Sequence, residues 1–223
     1  MLYADRREAG RALGAALGTY AGRPDVVVLA LPRGGAPVAF EVAEALGAPL
    51  DLFLVRKLGF PGNEEFAMGA IASGGVRVLN EPIIERYGVP EAVVEAVARA
   101  EGQELSRRER AYRGDLPPLA LGGKTVIVVD DGLATGFSMR AAVAALRSLG
   151  PKRIVVAVPV GPEDTVRELR KIADEVVCPA MPEPFLAVGR FYAVFDQTTD
   201  GEVKEVLARA RRPEPAGAGG RMS

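Results

Sequence analysis

The sequence contains no histidine. Imidazole acid–base catalysis, Ser-His nucleophile pairs and His-ligated zinc are therefore unavailable to it. Cysteine is nearly absent as well. Cys178 stands alone, which excludes an intrachain disulfide and a cysteine zinc site, and its setting in EVVCPA marks it as a core-packing residue. Charge of one sign is lacking: 28 Lys and Arg against 29 Asp and Glu leave a formal −1, so no bulk field recruits nucleic acid or an anionic membrane. No apolar run reaches the ~18 residues of a membrane span. The opening MLYADRREAGRALGAALG reads as an amphipathic helix rather than a signal peptide, so a cytoplasmic protein is expected. There are no internal repeats. What remains is carboxylate, Arg/Lys and backbone-amide chemistry, which suits phosphoryl and pyrophosphate ligands accompanied by Mg2+.

The 223 residues are enough for one domain that buries ~70% of its unfolded surface. Continuous apolar runs at 26–31 (VVVLAL), 50–55 (LDLFLV), 126–130 (VIVVD), 154–159 (IVVAVP) and 175–178 (EVVC) read as buried strands. Helices are predicted over 38–46, closed by Gly47, and over 163–173 and 201–211. The first strand–helix–strand run is a βαβ unit, which implies parallel pairing. The expected fold is α/β, a doubly wound parallel sheet of order 2-1-3-4-5 with an inserted hairpin and helical segment and a small C-terminal hood.

Between the second and third core strands the alternation breaks. Residues 66–73 and 76–79 read as a hairpin, 82–87 as a short helix, and 90–112 as a long one. Glu104–Arg108 and Glu109–Arg113 are spaced for i,i+4 pairing, so the basic run at 107–110 reads as a solvated face. Residues 182–195 (PEPFLAVGRFYAVF) are aromatic and short-stranded. A single domain is expected over 1–213, with the core at about 24–57 and 122–180, the insertion at about 58–121 and the hood at about 181–197. The Pro/Gly/Ala-rich residues 214–223 are expected to be a disordered tail.

One stretch organises the rest: VIVVDDGLATGFSM, residues 126–139. Four β-branched residues lead to Asp130 and Asp131 at the strand end. The small, hydroxylic segment 132–138 then runs into a helix marked by Met139, Ala142, Val143 and Leu146. Free amides and the positive end of the helix dipole make such a turn a phosphate cradle. Two carboxylates beside it suit the hydroxyls of a ribose phosphate, and both are expected to be ionised. An acid pair at a strand end also suits a receiver-type pocket or a capped turn. A receiver needs a separate phosphoacceptor Asp on another strand, and neither early strand ends in one. A second loop, PRGG at 32–35, follows the first strand, where two glycines and an arginine allow close approach to an anion.

Residues 126–139 resemble the signature of the type I phosphoribosyltransferases: a hydrophobic strand, two acids, then a loop with Thr-Gly and a hydroxyl residue. The resemblance implies an enzyme that transfers the phosphoribosyl group of phosphoribosyl pyrophosphate to a nitrogenous base with Mg2+. Asp130 and Asp131 then match the pair that holds the ribose hydroxyls beside the metal. Gly132, Leu133, Ala134, Thr135, Gly136, Phe137 and Ser138 form the substrate loop, with 134–138 around the 5′-phosphate. Arg33, Gly34 and Gly35 resemble the pyrophosphate loop, and Pro32–Arg33 is where the family's non-proline cis peptide is expected. Arg56 and Lys57, in VRKLGFPG, resemble the Arg-Lys step that opens the mobile loop of adenine and orotate enzymes. In some of these it crosses a subunit interface, so a homodimer is expected.

The resemblance gives conflicting signals on the acceptor. Glu64 and Glu65 lie where adenine enzymes place a catalytic glutamate. Ala134 argues against a 6-oxopurine, and Phe60 against orotate. VGRFYAVF, with Tyr192, resembles the hypoxanthine-type hood, although Phe195 replaces an acid near the metal there. A purine-like base is favoured. Catalysis would rest on holding the leaving pyrophosphate with Arg33, Arg56, Lys57 and Mg2+ while excluding water. The alternatives are a non-catalytic regulator that senses phosphoribosyl pyrophosphate or a nucleotide, and phosphorolysis of a nucleotide in the same groove. Neutral charge and the absence of a helix-turn-helix before the sheet weigh against the regulator.

Overall fold

A computed structural model describes residues 1–60, 62–114, 116–117 and 119–211. The expectation for the tail at 214–223 lies outside the described residues. In chain order the elements are α1 (Arg6–Ala16), β1 (Val26–Ala30), α2 (Gly35–Leu46), β2 (Leu50–Leu52), β3 (Val55–Phe60), β4 (Asn63–Ala72) and β5 (Val76–Leu79). There follow α3 (Glu81–Arg86), α4 (Glu91–Arg113), β6 (Thr125–Val129), α5 (Phe137–Ser148), β7 (Arg153–Ala157), α6 (Glu163–Leu169), β8 (Glu175–Val177) and α7 (Asp200–Ala210).

Five strands form one parallel sheet in the order β2-β1-β6-β7-β8, the expected 2-1-3-4-5 of the core strands. All five residues of β6 are buried, which is why its sequence is an unbroken apolar run rather than an alternating one. Successive residues feed opposite faces. Val28, Ile127 and Val155 pack on one side with Leu13, Val42 and Leu207, and Leu29, Val128 and Val156 on the other with Met139, Leu146 and Leu169. Cys178 belongs to this second layer as expected; its thiol donates to the Ala180 carbonyl at 3.3 Å, and burial pushes its pKa up to about 11. Among the described residues, no helix is long and apolar enough to cross a membrane.

The insertion carries a second sheet, antiparallel β3-β4-β5, which includes the expected hairpin of β4 and β5. The reading of 50–55 as one strand is corrected. The parallel strand stops at Leu52, and Val55 onward pairs with β4. Ser73 explains the hand-over: the Leu54 amide donates to its hydroxyl at 2.9 Å, and the Ser73 amide returns a bond to the Leu54 carbonyl at 2.9 Å. Arg56 and Lys57 therefore lie on a strand, not at the start of a loop.

In α4 the Glu104–Arg108 pair forms at 2.7 Å, but Glu109–Arg113 is replaced. Arg113 makes a bidentate pair with Asp51 at 2.9 and 3.0 Å and donates to the Pro117 carbonyl. This bond ties the insertion to β2. The hood, expected to be short-stranded, contains no strand among its described residues. A 3-10 turn at Val188–Phe191 is held by the chain's first residues: the Leu2 and Tyr3 amides donate to the Phe191 carbonyl, and Ala193 and Val194 donate to Tyr3 and Ala4.

The Arg113 and Asp51 side chains are only 10% and 18% exposed, so removing one leaves the other poorly solvated. Arg113→Met should lower the unfolding free energy by about 2–3 kcal/mol, less than a fully buried pair would lose. Glu104→Gln, in a solvated cluster, should leave the urea midpoint unchanged. Equal midpoints for the two variants in urea denaturation would contradict the bracing role of the first pair.

Candidate active site

In the sheet β1 leads outward to β2, and the chain returns on the other side of β1 as β6. The carboxyl ends of β1 and β6 are therefore the topological switch point, where open α/β sheets bind ligands. Two loops meet there. The Leu31 amide donates to the Val129 carbonyl at 2.8 Å, extending the β1–β6 ladder one step past the strand. The Pro32–Arg33 peptide that follows is cis, at the expected position. A Cβ on Gly34 would lie 2.0 Å from the Asp131 Oδ2, and one on Gly35 would lie 2.8 Å from the Val129 carbonyl. Only residues without side chains let the loops approach this closely.

Asp130 and Asp131 sit at this junction, and the Asp131 amide donates to Asp130 Oδ1 at 2.8 Å. Burial makes both harder to ionise than an ordinary carboxyl. Burial, then the neighbouring Asp131 charge, pushes the Asp130 carboxyl well above the usual carboxylate range. Burial also raises Asp131, while Arg6 pulls it back. The Arg6 Nε donates to Asp131 Oδ2 at 2.8 Å, its Nη1 donates to the Asp196 carbonyl at 2.7 Å, and its guanidinium lies 3.9 Å from the centre of the Phe195 ring. Sequence reasoning missed Arg6 because RREAG carries no signal beyond an ordinary charged helix start.

The loop after the acids divides into supporting and open positions. Gly132 lies under the hood, where a Cβ would be 2.5 Å from Val188 Cγ1. Leu133 is buried, and its amide donates to the Val160 carbonyl at 2.9 Å, so this residue supports the loop and does not offer its amide to an anion. Ala134, Thr135 and Ser138 are exposed. Gly136 takes φ +68° as the N-cap of α5 and supplies no side-chain cap, so the first-turn amides have no intrahelical acceptor. An uncapped helix N-terminus of this kind is the geometry that the expected anion cradle requires. Tyr192, expected to touch substrate, is turned inward. Its hydroxyl donates to the Asp131 carbonyl at 2.5 Å, and burial raises its pKa, keeping it a neutral donor.

The cations divide likewise. Lys57 lies 5.8 Å from the centre of the Phe137 ring, at the mouth of the cradle. Arg56, its neighbour on β3, points to the opposite face, where it pairs with Glu101 of α4. Arg33 approaches Asp200 at 3.6 Å, and Asp200 also accepts the Tyr112 hydroxyl at 2.7 Å. Glu64 and Glu65 fall on β4, and their side chains lie outside the described residues. Among the described residues no three acids cluster as a metal cage. Two adjacent carboxylates nevertheless fit Mg2+, which takes one or two protein carboxylates and completes its shell with water and substrate phosphates.

A parallel sheet with an acid pair and an open helix N-terminus at its switch point makes this an open α/β protein with a candidate ligand groove at the carboxyl ends of β1 and β6. The chain matches the phosphoribosyl transferase domain over residues 4–193 and belongs to that family. It is 47% identical, over 95% of its length, to a Mycobacterium tuberculosis protein provisionally named a phosphoribosyl transferase, Rv0571c, of which it spans only 47%. It is 36% identical over 131 residues to the bifunctional protein PyrR of a Roseiflexus species, covering 54% of this chain and 62% of that one. The crystal structure of the Thermus thermophilus protein TT1426 is similar, with a TM-score of 0.84 at 44% identity over 94% of this chain and 99% of that one.

A raised carboxyl holds a proton in the folded state that the unfolded chain releases near pH ~3.9. Its contribution to stability therefore falls as pH rises from that value through the raised one. Asp130→Asn keeps an acceptor for the Asp131 amide and removes this cost. Without added ligand, the variant and the parent should have similar stability below pH ~4. The variant should become progressively more stable than the parent toward neutral pH. A stability difference independent of pH in urea titrations would contradict the assignment.

Proposed function

We propose that this chain binds phosphoribosyl pyrophosphate and transfers its phosphoribosyl group to a nitrogenous base, with a purine-like base favoured. The observation that carries the reading is the contact of the Gly34–Gly35 corner with the Asp130–Asp131 pair, immediately before the open N-terminus of α5. An anion on the α5 amides places a ribose beside the two acids and a 1-pyrophosphate against the 32–35 loop. Asp131 would accept from a ribose hydroxyl, Thr135 and Ser138 would face the 5′-phosphate, and Arg33 and Lys57 would attract the leaving group. Mg2+ held by Asp130 and Asp131 would supply charge compensation to the pyrophosphate when bound. Displacement at the anomeric carbon needs no protein nucleophile, which agrees with a chain that has no histidine and one buried cysteine. Lys57 lies beside Phe137 of its own chain, so the reading does not require a subunit partner for that cation.

Hydrogen bonds to a charged group contribute ~1.5–3 kcal/mol each. Asp131→Ala should therefore weaken Mg2+-dependent binding of phosphoribosyl pyrophosphate ~10–150-fold by calorimetry. Thr135→Val, which removes one hydroxyl and keeps the amides, should weaken it less. Equal affinity in Asp131→Ala and the parent, or no binding in either, would sink the assignment. Incubation with radiolabelled phosphoribosyl pyrophosphate, Mg2+ and a panel of bases then tests turnover. Binding without product from any base would point instead to a sensor of phosphoribosyl pyrophosphate.

A further inference from the structure

Arg6 begins α1, 125 residues from Asp131 in sequence, yet its guanidinium lies inside the candidate site. Three parts of the group are engaged: Nε by Asp131 Oδ2, Nη1 by the Asp196 carbonyl, and the flat face by Phe195. The Arg6 and Asp131 side chains are 13% and 15% exposed, unlike the solvated pairs on α4 and α6. An exposed ion pair contributes little because water screens it and both side chains must be ordered. This one is enclosed, and its arginine is fixed from both sides.

We infer that Arg6 is a positioning residue, one that holds the Asp131 carboxylate in the orientation that meets a ribose hydroxyl and acts through Asp131 rather than on the ligand. The inference rests on the phosphoribosyltransferase reading of the groove. Docking of the N-terminus does not explain the contact. Backbone bonds from Leu2, Tyr3, Ala193 and Val194 already join the first residues to the hood, and the Tyr3 hydroxyl donates to the Pro159 carbonyl. What Arg6 adds is a bond to the acid itself. Asp131 is then constrained at four points: its carboxylate by Arg6, its amide by Asp130, its main-chain carbonyl by Tyr192, and its Oδ2 face by the bare backbone of Gly34. Lysine keeps the charge but cannot reproduce a planar group that bonds at two nitrogens and stacks on a ring.

The test is a double-mutant cycle read by calorimetry, with phosphoribosyl pyrophosphate and Mg2+ titrated into parent, Arg6→Met, Asp131→Ala and the double variant. Arg6→Met should weaken binding roughly tenfold, the scale of one charge-assisted bond, with Arg6→Lys between it and the parent. In the Asp131→Ala background, Arg6→Met should have no further effect, since coupled residues are not additive. A merely structural residue would not show that dependence. Parent-like affinity in Arg6→Met, or equal fold-changes in both backgrounds, would overturn the positioning role alone. No binding by the parent would overturn the functional reading beneath it. Should Arg6→Met not fold, the same cycle with Arg6→Lys decides. Weakening confined to the Asp131 background supports the role, and parent-like affinity or equal fold-changes in both backgrounds overturn it.

Discussion

The backbone of Gly34 runs where any side chain would overlap the Asp131 carboxylate. That close approach is the constraint on which the site depends. It is possible because β1 and β6 are hydrogen-bonded neighbours, paired from Val26–Thr125 to Ala30–Val129, so their following loops leave the sheet side by side. The Leu31–Val129 bond extends the ladder, and Gly35 then starts α2 directly against Asp130. Chains far apart in sequence converge on one groove because the sheet reverses its direction of growth there.

The same packing creates the electrostatic character of the groove. Two adjacent carboxylates withdrawn from water repel each other, and each is easier to protonate for being buried. A site selected for stability alone would not keep them. The chain offsets part of the cost with the Arg6 guanidinium, itself fixed by Phe195 and Asp196, while the Tyr192 hydroxyl on the Asp131 carbonyl holds the backbone between the acids and the loop. The hood is thus a support for the acids as well as a cover. Its form depends on residues 2–4, which lend it the backbone partners that its own sequence does not supply.

Much of this was legible in the sequence, for physical reasons. Strands buried on both faces leave unbroken apolar runs, so the five-stranded sheet and its order could be read from 26–31, 126–130 and 154–159. The acids and the two glycine-bearing loops announced themselves because few residue types tolerate such an approach. What was hidden depended on partners remote in the chain. The break between β2 and β3 rests on Ser73, 19 residues beyond Leu54. Arg113 has the spacing to bond Glu109 along its helix, but pairs with Asp51 instead, where two bonds in a drier setting outweigh one at the surface. Tyr192 and Arg6 are ordinary in sequence and become part of the site only through the fold.

The insertion acquires a role by the same reasoning. Between Tyr87 and Arg113 nothing in the sequence suggests a ligand, and the basic run of α4 is mostly held by Glu104 at the surface. The end of α4, however, faces the core. Arg113 fastens it to Asp51 beside β1, and Tyr112, buried and pushed up to about 12 by burial and the Asp200 hydrogen bond, donates to Asp200 on α7. Asp200 in turn approaches Arg33, the cation of the loop that follows β1. A chain of contacts thus runs from the insertion through α7 to the loop at 32–35. Arg33 extends from a three-residue turn that has no room to brace it, because Gly34 and Gly35 must stay bare beside the acids. Asp200 gives Arg33 an ion-pair partner at the edge of the groove, but at 3.6 Å and with the side chains 38% and 62% exposed it holds the guanidinium only weakly.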